Sequence, residues 1–120
     1  MKSKTMIYSY SACSTCKKAL NWLREHNLDF ELVDIVQCPP SKETLKSALS
    51  KLGERKALFN TRGVSYRALG AKVVQTMSDK ECIEALSLDG KLIKRPFLIL
   101  PSGDVLLGFN PDVWASALIN

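Results

Sequence analysis

Two cysteines three positions apart, Cys13 and Cys16 in the stretch Thr5–Trp22 (TMIYSYSACSTCKKALNW), are the side chains of this sequence best suited to chemistry. A CxxC pair is a dithiol that can open a disulfide. One thiolate attacks, and the second sulfur, one helical turn on, is placed to attack the mixed disulfide so formed. The pair sits where the residue pattern changes period. Met6, Ile7 and Tyr8 form a short apolar run of strand-forming residues, whereas Ala19, Leu20, Trp22 and Leu23 recur at helical spacing. The CxxC therefore falls where a strand ends and a helix begins. The first turn of a helix has unpaired N–H groups and a partial positive charge that stabilise a thiolate, and Lys17 and Lys18 add positive charge nearby. Cys13 is expected to be the ionised nucleophile and Cys16 the resolving thiol.

A CxxC can also be half of a zinc site, or simply two inert buried cysteines. Zinc needs two more ligands at suitable spacing, and the remaining Cys38, Cys82 and single histidine, His26, form no second paired knuckle. A redox or nucleophilic pair is the preferred reading, with no metal and no bound cofactor. A strand–CxxC–helix opening is a fairly specific signal for a thioredoxin-like fold.

The composition agrees with a single globular domain. The chain has 120 residues, 46% of them hydrophobic and 24% charged, enough to bury a core without disulfide staples. No apolar run approaches the roughly 20 residues of a membrane span. The opening MKSKTMIYSYSAC lacks the apolar core of a signal peptide, so the expected location is the cytosol, where cysteines stay reduced. The net charge of +5 (17 basic against 12 acidic residues) and the pI near 9.1 fit a solvated basic surface. They also fit an anionic substrate, glutathione or an acidic protein partner. No basic run exceeds two residues and no aromatic-interleaved basic stripe occurs, so direct nucleic-acid binding is not expected.

The rest of the chain supplies the elements that must hold the pair. Leu28–Ile35 (LDFELVDI) alternates as a half-buried strand does, after a helix stop at Asn27. Strand, helix and strand within 35 residues make a parallel βαβ unit. Cys38-Pro39-Pro40 breaks the pattern, and Cys38, in a turn, is read as incidental. Ser41 then caps a helix through Leu45, Ala48, Leu49 and Leu52 that Gly53 ends. Asn60-Thr61-Arg62-Gly63 is turn chemistry, followed by a short helix closed by Gly70. Ser78-Asp79-Lys80-Glu81 is a capping box, and Cys82, Ile83, Leu86 and Leu88 follow on one helix, with Cys82 most simply a core residue. Phe97–Leu100 and Val105–Leu107 read as a strand hairpin around Pro101-Ser102-Gly103-Asp104. Asn110 and Pro111 open a final helix with Trp114, Leu118 and Ile119 facing inward. The order is β-α-β, a helical middle, then β-β-α. This is an α/β thioredoxin-like four-stranded mixed sheet with an inserted helical subdomain, the sheet portions spanning about 1–38 and 91–120 and the insertion about 39–90.

Three stretches, YSACSTCKKALNWL, LFNTRGVSYRALG and DGKLIKRPFLI with the following LLGF, resemble the arsenate reductase (ArsC)/Spx family in order and spacing over essentially the whole chain. The likeness is strongest to ArsC-like members that carry a CxxC. It implies that Cys13 is the catalytic cysteine and that Arg62 in NTRG and Arg95 in KRP bind the anionic part of a substrate. It also implies that Pro96 is cis and presents backbone to a bound thiol partner. Ser11 and Thr15 join Arg62, Arg95 and Pro96 as substrate-binding residues. Two guanidinium forks at a thiolate would hold an oxyanion or a glutathione carboxylate.

Two departures narrow the activity. Ser9 stands where arsenate reductases carry a histidine four residues before the cysteine, and Gly108-Phe109-Asn110 stands where they carry a third arginine. Arsenate reduction is therefore expected to be weak or absent. The resemblance implies a monomeric thiol–disulfide oxidoreductase, with glutathione or thioredoxin as reductant and a small anionic or glutathionylated substrate. The alternative is an Spx-like redox-sensing regulator that binds the RNA polymerase alpha subunit.

Overall fold

The computed structural model describes residues 4–119. Four strands, β1 (Met6–Ser9), β2 (Glu31–Asp34), β3 (Phe97–Ile99) and β4 (Val105–Leu107), form one sheet in the order β2-β1-β3-β4. β3 runs antiparallel to both β1 and β4. β2 lies beside β1, the Glu31 N–H donating to the Thr5 carbonyl at 2.8 Å, after a crossover through helix α1 (Ser14–Glu25). The sheet is mixed and the fold is thioredoxin-like. The other helices among the described residues are α2 (Lys42–Leu52), α3 (Val64–Leu69), α4 (Ala71–Thr76), α5 (Asp79–Leu88) and α6 (Pro111–Leu118). None of them is long and apolar enough to cross a membrane.

The chain divides into two compact units, Met1–Val33 with Arg95–Asn120, and Asp34–Lys94. In the sheet unit, α1 turns Ala19 and Leu23 onto Ile7 of β1 and Leu98 of β3, and Trp114 of α6 completes the cluster. Three rings clamp the two helices together. Trp22 meets Trp114 edge-on at 6.0 Å, and Phe109 meets Trp114 at 4.9 Å. α1 stops where Asn27 takes a positive φ of 54°.

The helical unit has a core of its own, including Leu45 and Ala48 of α2, Phe59, Val74 of α4, and Cys82 and Leu86 of α5. Both long helices start on the expected caps. Ser41 Oγ accepts the Thr44 N–H, and Ser78 and Glu81 form the reciprocal capping box. Arg55 ties α4 to α5, donating to the carbonyls of Val74 and Met77 and pairing with Asp79 at 2.6 Å. At Gly90 only a missing side chain fits, since a Cβ there would lie 1.9 Å from the Ile35 carbonyl oxygen.

Several expectations need correction. The second strand is four residues long rather than eight. As a sheet edge it leaves Leu32 52% exposed, so the apolar alternation does not map onto a buried face. Ile119, expected to face inward, is 49% exposed because it lies past the end of α6, and Leu88, the last residue of α5, is 77% exposed. Helix α4 and the 3₁₀ turns Arg55–Leu58 and Gly90–Leu92 were not expected at all.

Leu98→Ala should lower stability by about 2–5 kcal/mol, as deletion of a fully buried Leu side chain does. Leu88→Ala should stay within about 0.5 kcal/mol. Urea unfolding of the two variants checks this. Equal losses would contradict the burial of Leu98 and the exposure of Leu88.

Candidate active site

β1 delivers the chain into the short turn Tyr10–Cys13, and α1 begins directly after it. The Cys13 N–H donates to the Tyr10 carbonyl at 3.1 Å, closing the turn. Cys13 is the N-cap of α1, extended at φ −104° and ψ 109°, and its Sγ accepts the Cys16 N–H at 3.2 Å. A serine or aspartate oxygen usually fills this role. The first turn holds no acidic residue, and Lys17 and Lys18 lie exposed beyond it. The sulfur is half-buried, receives one N–H and sits at the positive end of a helix, a setting that accommodates negative charge.

Cys16 is its opposite. The side chain is fully buried, and burial pushes its thiol up to about 11. The Cys13 side chain adds to that rise, while the Tyr10 backbone and the Ser9 hydroxyl pull the other way with less effect. Ser9 is itself buried at the end of β1, so its hydroxyl serves the inner cysteine. The two thiols are thus unlike: one reachable, the other enclosed and protonated at neutral pH.

Arg95 and Pro96 arrive from the far end of the sequence and share the sheet unit with the cysteines. The Arg95–Pro96 bond is cis, as expected, and the Pro96 carbonyl accepts the Gly108 N–H at 3.0 Å. The β1–β3 ladder pairs Met6 with Ile99, Ile7 with Leu98 and Tyr8 with Phe97. Beyond the last pair Tyr10 follows the end of β1, and Arg95 and Pro96 form the bend that leads into β3. The Arg95 guanidinium carbon lies 5.2 Å from the centre of the Tyr10 ring. Tyr10 was not singled out from sequence. Its position three residues before Cys13 was visible, but its contact with a residue 85 positions later was not.

Ser11 and Thr15, on either side of Cys13, are exposed. Arg62 belongs to the helical unit, exposed in the turn Asn60–Gly63. That turn is pinned by the Asn60 N–H to the Leu92 carbonyl at 2.7 Å and by Arg67 to the Arg62 carbonyl at 3.3 Å. Cys38 is exposed, and Cys82 is buried in α5, where burial raises its pKa more than Arg55 lowers it. A groove of about 1040 Å³ opens within the helical unit, with Leu49 of α2 and Ile83 of α5 in its floor. None of the cysteine-turn residues lines it, so chemistry rather than cavity size marks the candidate site.

The ArsC family sequence model matches residues 8–117. An uncharacterised protein of Bacillus subtilis, YusI, is 44% identical over 108 residues, covering 88% of this chain and 91% of that one. The regulatory protein MgsR of the same organism is 30% identical over 112 residues, covering 92% and 87%. The crystal structure of a protein related to the ArsC family from Bacteroides fragilis superposes with a TM-score of 0.85 at 39% identity, covering 97% and 98%. With its motifs in place and nearly its whole length matched, the chain belongs to the ArsC family.

Proposed function

We propose that this chain is a thiol–disulfide oxidoreductase in which Cys13 is the nucleophile and Cys16 the resolving thiol. The observation that carries this reading is the inequality of the two sulfurs. Cys13 is reachable and capped by an N–H, whereas Cys16 is buried with its pKa raised to about 11. In the first step the Cys13 thiolate attacks one sulfur of a disulfide RSSR′. The substrate S–S bond breaks, a Cys13–SR bond forms, and R′S⁻ leaves to be protonated. Cys16 then gives up its proton, its sulfur attacks Cys13 Sγ, and RS⁻ departs with a proton. The protein is left as a Cys13–Cys16 disulfide, two electrons having passed to the substrate. A thioredoxin dithiol, or two glutathione molecules in succession, returns them.

Arg95 offers a guanidinium to the carboxylates of a glutathionyl group, and Ser11 and Thr15 offer hydroxyls beside Cys13. Pro96 and, on the family pattern alone, Arg62 complete the proposed binding set. Arsenate asks for more, because attack on a tetrahedral oxyanion develops charge that fixed donors must meet. Losing one such donor costs on the order of 10²–10³ in rate. Ser9 is directed to Cys16, and the Asn110 side chain is occupied by the Asp112 and Val113 N–H groups as the cap of α6. Neither supplies a cation.

The 30% identity with MgsR, a regulatory protein, supports a second reading. In it the same pair is a redox switch on a regulator that docks on the RNA polymerase alpha subunit. Capture of that subunit in a manner set by the oxidation state of the pair, without turnover, would select it.

A glutathione mixed disulfide should be reduced far faster than arsenate with glutathione or thioredoxin as donor. Cys13→Ser should abolish that activity, and Cys16→Ser should accumulate a Cys13 mixed disulfide detectable by mass. Arsenate turnover equal to that of mixed disulfides, or activity surviving Cys13→Ser, would overturn the assignment.

Cys16 also makes a pH prediction. Its pKa is raised from 9.0 to about 11 in the folded chain, so the stability linked to it is present below about pH 9 and lost as pH climbs toward 11. Cys16→Ala should flatten the alkaline fall in urea midpoint across that window. Parallel profiles for the variant and the parent would contradict the enclosed, protonated Cys16.

A further inference from the structure

We propose that Ser9 is a third member of the redox centre: its hydroxyl donates to the Cys16 sulfur as that sulfur becomes a thiolate, and so lets a buried thiol resolve the mixed disulfide on Cys13. The inference rests on the reading of Cys16 as the resolving thiol and adds the group that makes resolution possible in an enclosed site.

Strand and helix geometry bring the two groups together. Side chains alternate along β1, so Ser9 points to the same side of the sheet as Ile7, which packs with Ala19 and Leu23 of α1. Cys16 belongs to that buried stripe of α1, three positions before Ala19 and seven before Leu23. α1 begins directly after the turn that follows β1, so Cys16 is the member of the stripe nearest the Ser9 end of the strand. Both groups are enclosed, Ser9 at 6% exposure and Cys16 at 0%. A buried hydroxyl is unfavourable without a partner, and Ser9 has one in the sulfur. The Ser9 side chain and the Tyr10 backbone both act on Cys16 as hydrogen-bond donors, lowering its pKa against the larger effect of burial.

Neighbouring groups are engaged elsewhere or remote. The Cys16 N–H donates to Cys13 Sγ at 3.2 Å, and Lys17 and Lys18, next in sequence, are exposed. A negative charge on Cys16 is therefore met by neutral donors. When the mixed disulfide Cys13–SR is resolved, the Cys16 S–H proton leaves to water and a sulfur lone pair forms the bond to Cys13 Sγ. The Cys13–SR bond breaks with its electron pair on RS⁻, which takes up a proton from water. Ser9 keeps its own proton throughout and only shares it with the sulfur. Attack by Cys13, the first step, leaves Cys16 a neutral thiol and does not draw on Ser9.

The test uses 5,5′-dithiobis(2-nitrobenzoate), each molecule of which releases one coloured thiolate when Cys13 attacks and a second when Cys16 resolves the adduct. The protein carries Cys38→Ser to remove the exposed cysteine, and mass mapping assigns the two phases. Cys16→Ser should keep the first phase and lose the second. Removing a donor to a buried anion lowers the anion's population about ten- to hundredfold, and the less acidic thiolate that remains is more nucleophilic by about the square root of that factor. Ser9→Ala should therefore leave the first phase as in the parent and slow the second about three- to tenfold. A second phase unchanged in Ser9→Ala, or both phases slowed by the same factor, would overturn the proposal while leaving the oxidoreductase reading intact. Conversely, two phases that respond to Ser9→Ala as expected, with no turnover of a glutathione mixed disulfide by the parent, would remove the oxidoreductase reading and leave the role of Ser9 standing.

Discussion

The antiparallel pairing of β1 with β3 is the interaction on which the candidate site depends. Met6, Ile7 and Tyr8 meet Ile99, Leu98 and Phe97, residues more than eighty positions later, and the register leaves no slack. A slip of either strand by one residue would reverse that strand's side chains and turn its core residue, Ile7 or Leu98, out of the core. Just past the ladder, Tyr10 of the cysteine turn meets Arg95, the guanidinium carbon 5.2 Å from its ring centre. Burial of Ile7, Leu98, Ala19, Leu23 and Trp114 in one cluster therefore stabilises the sheet unit and aligns its chemistry at once.

Around that ladder, the site assigns different environments to chemically identical groups. Cys13 caps α1 with a sulfur, a weaker acceptor than the oxygen of a serine or aspartate cap. The helix is secured instead by its buried face, Cys16, Ala19 and Leu23, and by Trp22 packed on Trp114. A sulfur that caps a helix less well than an oxygen would is suited to another task, and a half-buried sulfur at the positive end of a helix is suited to attack. The enclosed partner one turn on is held as a thiol by burial. Position, not residue type, separates the roles.

Much of this was legible in the sequence because local chemistry dictated it. The Ser78–Glu81 capping box, the Ser41 and Asn110 caps, Pro111 at a first helical position and the stop at Asn27 are each decided within four residues. The strand–CxxC–helix junction is equally local. What escaped was short or decided at a distance. α4 is six residues long, begins at Gly70 with no side-chain cap, and has no acidic residue in its first turn, so no start signal marks it. Leu88 and Ile119 continue an apolar pattern past the point where the helix end turns them to solvent. Leu32 reads as buried in an alternating strand, yet it lies on the sheet edge. Tyr10 was silent because its contact is with Arg95, 85 positions away, which no local pattern encodes. Arg95 and Pro96 were recognised only through the resemblance of their motif to a family.

The central claim is that Cys13 and Cys16 form one redox couple in which the outer sulfur reacts and the inner one resolves. Its most direct test is peptide mapping by mass spectrometry after stoichiometric treatment of the reduced protein with oxidised glutathione, followed by alkylation of the remaining thiols. The expected product is a Cys13–Cys16 disulfide with Cys38 and Cys82 alkylated. A Cys13–Cys38 bridge, or a stable glutathione adduct on Cys13 beside a free Cys16, would contradict it.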